Sequence, residues 1–127
     1  MEVPDTENQG NLGSLVSESS GIFSFSETGY YAIFVNMFGN GSSGGYVYIG
    51  TQLTDDNSTY SEAARGQFEG SGTTLWGSGS SIVIIDVTNT SNDKVKFTSN
   101  IETAGSYIQG SSTTNFTTFT FLKLGET

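Results

Sequence analysis

Gly21-Ile22-Phe23-Ser24-Phe25-Ser26-Glu27-Thr28-Gly29-Tyr30-Tyr31 reads as a short strand, a polar corner, a glycine turn and the start of a second strand. That second strand, residues 30–38, decides the fold. Tyr31, Ile33, Val35 and Met37 fall on one side of it. Tyr30, Ala32, Phe34 and Phe38 fall on the other, with Asn36 the only polar member of that set. Side chains alternate across a strand, so a strand with one wet face alternates in polarity. This strand does not. Its second face is expected to be covered, either by packing within the chain or by another chain.

Composition points to an all-β protein. The 127 residues suffice for one ordinary domain, and 9 Phe, 6 Tyr and 1 Trp argue against disorder despite the abundance of Ser, Thr, Asn and 17 Gly. Aromatic and β-branched residues between Gly, Ser, Thr and Asn clusters mark strands and turns. Residues 60–65 fit a helical turn or a strand equally well.

The net charge of −9, with only Arg65, Lys94, Lys96 and Lys123 as cations, leaves no cationic face for nucleic acid and no polybasic membrane patch. With neither Cys nor His, disulfides, the usual zinc sites, Ser-His-Asp triads and cysteine nucleophiles are excluded. No apolar run is long enough to span a membrane. Residues 1–13 read as an acidic flexible leader or linker, and residues 14–125 as the folded domain.

Further strands are expected over residues 12–17, 21–25, 46–53, 80–87, 94–98, 102–110 (carrying Tyr107 and Ile108) and 115–124. Residues 39–45 and 55–58 read as turns, and residues 59–71 as a polar segment. The Thr-Phe alternation of the last strand puts Phe119 and Phe121 on one face. Short strands at this spacing fit an antiparallel two-sheet sandwich or jelly roll.

Three blocks carry a resemblance. Gly21-Ile22-Phe23-Ser24-Phe25 followed by Gly29-Tyr30-Tyr31-Ala32-Ile33 is the first. Gly79-Ser80-Ser81-Ile82-Val83-Ile84-Ile85-Asp86-Val87 with Asp93-Lys94-Val95-Lys96-Phe97 is the second, and Thr118-Phe119-Thr120-Phe121-Leu122-Lys123-Leu124 the third. In this order they resemble the globular head of complement component 1q, which shares its jelly roll with tumour necrosis factor. Asn92 departs from the pattern, where the family has Gly. The resemblance implies a homotrimer in which one sheet of each subunit packs around the threefold axis while loops at the far end bind partners. Tyr30, Ala32, Phe34, Phe119 and Phe121 are then the interface candidates.

The Ser/Thr/Asn/Gly-rich surface, the lack of Cys and the close Phe121-Leu122-Lys123-Leu124-Gly125 are similar to the heads of bacteriophage fibres and other virion-surface proteins. The function implied is a non-enzymatic adhesion module at a virion surface, contacting a host glycan or protein. The alternative is a trimeric capsid decoration or cement protein held against neighbouring capsid subunits. Threefold avidity lets each loop contact be weak. The contact candidates are Asn40 and Ser42 in one loop, Asp55, Asp56 and Tyr60 in another, and Trp76, whose ring offers a surface for sugars. Asp55 and Asp56 also offer oxygen ligands for Ca²⁺, although Asp and Asn in such a cluster serve as turn residues. A sugar-degrading enzyme needs two carboxyls flanking a groove. Asp86, Glu62 and Glu69 are the acids considered for that role.

Overall fold

The computed structural model describes residues 13–42, 44–70, 75–111 and 113–127. Residues 1–12, nearly all of the expected leader, lie outside the described part. Among the described residues the chain is all-β. The strands are β1 (Val16–Ser19), β2 (Ile22–Phe25), β3 (Gly29–Gly41), β4 (Tyr46–Thr54), β5 (Ser61–Glu69), β6 (Leu75–Val87), β7 (Lys94–Ile101), β8 (Tyr107–Ile108) and β9 (Thr118–Gly125). One antiparallel sheet has the order β1-β2-β7-β4-β5. In the other, β3 is central: β6 pairs along one side, and β9 and β8 pair along the other.

The core lies between the two sheets. Its first half gathers Phe25, Tyr31, Ile33, Val87 and Val95, and its second gathers Val35, Met37, Val47 and Ile49. Tyr31, Ile33, Val35 and Met37 are the inward row expected of β3, each almost completely buried. Phe97 packs against both halves. Burial raises the pKa of the Tyr31 hydroxyl, which donates to the backbone carbonyl of Glu27 at 3.0 Å. The opening motif is thereby tied together: the side chain that enters the core also pins the corner preceding it.

Three segments differ from the sequence expectation. The polar stretch 61–69 is a full strand, β5, at a sheet edge. Glu62 and Arg65 pair there at 2.9 Å, and Arg65 also lies over the Tyr48 ring at 3.9 Å. Charge on the outer face of an edge strand discourages pairing with other chains and weakens its hydrophobicity pattern. Residues 39–41, read as a loop, continue β3 because Gly39 and Asn40 pair with Ile108 and Tyr107. The Gly77-Ser78-Gly79 stretch lies inside β6, and its glycines let the β5 edge come close. A Cβ on Gly79 would stand 2.6 Å from the backbone nitrogen of Gln67 and 2.9 Å from Met37 Cε.

Register gives the sandwich two poles. β3 ends beside the start of β4, where the amide of Gly44 donates to the carbonyl of Gly70; Ser42 and the start of β6 lie at this pole. β4 ends at Thr54 opposite Lys94. The 55–60 turn lies at that second pole, with the 88–93 turn beside it, as the Asn57 amide donates to the carbonyl of Asn92 at 3.1 Å.

Candidate functional site

Alternation along β3, β6 and β9 sends every second side chain out of the sandwich. The register places Phe34 opposite Ile82 and Ala32 opposite Ile84 on β6, and Ala32 opposite Leu122 on β9. Tyr30 and Leu124 extend this set toward the second pole. Ala32 is buried by its larger neighbours. Tyr30, Phe34, Ile82, Ile84, Leu122 and Leu124 are exposed, from 38% for Phe34 to 65% for Ile84. At about 200 Å² for a fully exposed large side chain, they present roughly 600 Å² of apolar surface, the upper end of what a monomer shows (roughly 300–600 Å²). The second face of β3 is therefore uncovered within the chain.

Of the expected interface residues, Tyr30, Ala32 and Phe34 lie on this face. Phe119 and Phe121 lie on the other face of β9, where Phe119 is 37% exposed. Phe121 stands opposite Ile33 and Phe119 opposite Val35, both inward positions. Phe119 stacks on Phe97 with centroids 4.1 Å apart, and Phe121 stacks on Phe23 at 5.1 Å. The Thr-Phe alternation was read correctly as a shared face, but that face points into the sandwich. Leu122 and Leu124 occupy the outer positions instead.

Toward the Ser42 pole the outer face changes character. Asn36, Ser80 and Thr118 form a polar belt. Beyond it Phe38 stacks on Trp76 (centroids 5.3 Å, planes 11° apart) and on Phe116 (5.4 Å, 21°). Tyr107 meets Trp76 nearly at right angles, centroids 5.9 Å apart. Trp76 and Tyr107 are exposed, and Asn40 lies between them in register, buried on the strand. The signal in the sequence was the recurrence of aromatics near Gly-rich segments. Their convergence depends on the pairing of β3 with β8, two residues long and weak as a sequence pattern.

The loop candidates do not form one surface. Ser42 is held at one pole, its hydroxyl donating to the Ala104 carbonyl at 3.0 Å and its amide to Ser106 Oγ at 2.9 Å. Asp55 and Asp56 are at the other pole. Asn40 is no loop tip but a buried strand residue. Tyr60 turns back on the protein: Lys96 Nζ sits 4.0 Å from its ring centroid, and its hydroxyl is buried.

Asp56 performs a turn role. Its Oδ1 accepts from the Thr54 hydroxyl at 2.8 Å, the Ser58 amide at 2.8 Å and the Thr59 amide at 2.7 Å. These bonds, led by that from Thr59, hold its carboxyl well below the usual carboxylate range. Asp93 holds the β6–β7 turn, its Oδ2 accepting from the amides of Thr88 and Asn89 at 2.8 Å each. Both acids border an open cleft of about 600 Å³ at this pole, together with Asp55, Asp86 and Ile84. Among the described residues no three or more His, Cys, Asp or Glu gather as a metal set. Asp86 lies on the outer face opposite Tyr30. Glu69 stands at the far end of β5, opposite Tyr46, and Glu62 is engaged by Arg65.

All four cations are engaged within the chain. Besides Arg65 and Lys96, Lys94 Nζ donates to the Thr90 carbonyl at 2.6 Å, and Lys123 pairs with Glu126 and Glu27 at 2.8 Å each. The latter two carboxylates raise the Lys123 pKa.

No protein-family model matches this chain, and no curated protein does either.

Proposed function

We propose that the chain is a non-enzymatic jelly-roll module that assembles as a homotrimer and serves as an adhesion domain at a virion surface. The observation that carries the reading is the exposed aliphatic half of the β6-β3-β9 face. Its area, roughly 600 Å², approaches the ~800 Å² that each partner contributes to a stable complex. Copies of the same chain are its occupant because a closed symmetric assembly buries such a face on every subunit and leaves no copy exposed.

The strand order supports the jelly-roll part. The chain crosses between sheets from β2 to β3, from β3 to β4, from β5 to β6, from β6 to β7 and from β7 to β8, and its last strand returns beside β3. Repeated crossing between two antiparallel sheets is a feature of double Greek-key sandwiches, and it favours that reading. The trimer state and the virion setting rest on the sequence resemblance, in which one sheet faces the threefold axis. With that sheet facing inward, the poles stay free for display, and three copies of a weak contact act together.

Light scattering of the purified chain tests the assembly. The expected mass is about three times 13.5 kDa. A mass of one chain at micromolar concentration overturns the reading.

A further inference from the structure

We infer that the aromatic corner of Trp76 and Tyr107, backed by Phe38 and Phe116, is a binding site for a neutral carbohydrate. The inference deepens the adhesion reading by naming the ligand class, and requires of it only that this end of the sheet stay open when the aliphatic half is covered. Geometry comes first. Phe38 is sandwiched by two near-parallel rings and is spent on packing. Trp76, on the outer strand of its sheet, keeps about half of its surface exposed, and Tyr107 stands almost perpendicular to it. One ring face and one upright ring form a corner. A pyranose ring has an apolar C–H face to lay on an aromatic plane and hydroxyls around its edge to reach polar groups, among them the Tyr107 hydroxyl.

The surroundings select the ligand. Among the described residues, those that share this half of the outer face are uncharged: Asn36 and Asn40 on β3, Ser78 and Ser80 on β6, and Thr118 on β9. Hydroxyls and carboxamides exchange hydrogen bonds with sugar hydroxyls and supply no charge to compensate an ionic group. An anionic glycan finds no free cation, since all four are engaged elsewhere in the chain. A further copy of this chain is the other conceivable occupant. The belt of Asn36, Ser80 and Thr118 argues against it, because it interrupts the apolar surface between the two halves, where a single interface core is depleted of such groups.

Trp76 is the only tryptophan, so the emission of the intact chain reports on this corner alone. The experiment titrates the full chain with lactose, maltotriose, cellotriose and chitotriose, and measures mass in the same buffer. At least one sugar should give a saturable emission change, and calorimetry should show Tyr107→Ala and Trp76→Ala weakening it by roughly tenfold or more. Trp76→Phe, which retains a ring, should recover part of the loss. Near-UV circular dichroism of Tyr107→Ala, which leaves Trp76 in place, guards against misfolding. A trimer unresponsive to all four sugars overturns the inference and leaves the assembly intact. A lowered mass for Tyr107→Ala or Trp76→Ala also overturns it, by making the corner part of the contact between copies. A monomer that still responds supports the inference and removes the assembly reading alone.

Discussion

Replacing Ile82 and Ile84 with threonine should dissociate the proposed assembly while sparing the fold. Both side chains are on the outer face of β6 and are 61% and 65% exposed in the single chain. Fully burying an isoleucine is worth roughly 1.5–3 kcal/mol. Folding of one chain collects only the smaller part of this, so the pair costs the monomer less than about 1 kcal/mol per site. The remainder is available only to a neighbour. Threonine keeps β-branching, and with it the preference for an extended strand, but retains one methyl group. The loss at the interface is then about 2–3 kcal/mol per subunit, or roughly 30- to 150-fold in each subunit's affinity for the others. Light scattering over a dilution series reads the midpoint of dissociation, and urea unfolding of the dissociated variant reads the fold. A variant that keeps the full mass at the wild-type concentrations refutes the reasoning. So does a variant that loses several kcal/mol as a monomer, because Ile82 and Ile84 would then belong to the core of the chain itself.

Gly79→Ala should destabilise by about 1–3 kcal/mol in urea titration, because its Cβ meets the Gln67 backbone at 2.6 Å and neither strand can move aside without opening the sheet. Gly110→Ala, with open space around it, is the control and should cost little. Phe97→Ala should cost about 3–5 kcal/mol, since this ring packs against both halves of the core. Asp56→Ala should lower the melting temperature at pH 7, and the gap to wild type should close in acid. The folded-state pKa of Asp56 is depressed, so its contribution is complete above the unfolded value near 4 and is lost as pH falls toward the folded value; a gap that persists unchanged at pH 2 contradicts the turn role.

β3 was the most legible element because its two faces are both apolar, which alternation alone reveals without any packing. Its inward row came out residue for residue. β5 was not legible for the opposite reason. Its inward row is Ala64, Gly66 and Phe68, of which only Phe68 is a large apolar residue, so the period of two is faint, and the strand is held by its pairing with β4. Gly77 and Gly79 carried the composition of a loop, and they lie in a strand because the neighbouring sheet edge approaches too closely for a side chain. At the candidate site, Trp76 stood out as the lone tryptophan, whereas its partners Phe38, Tyr107 and Phe116 come from three distant stretches.

The order of residues by itself determined that this chain is built of strands, that β3 carries an apolar second face, and that cations, Cys and His are too scarce for a phosphate-binding face, a Ser-His-Asp triad or a cysteine nucleophile. These are local properties, set by alternation, turn chemistry and composition. Tertiary structure alone decided which way each face points. It turned Phe119 and Phe121 inward against Phe97 and Phe23, left Leu122 and Leu124 outside, and separated the Ser42 and Asp56 turns to opposite poles. A period of two assigns residues to faces but does not say which face is wet. That choice is made when two sheets close on each other and the side chains that interlock best are taken inside.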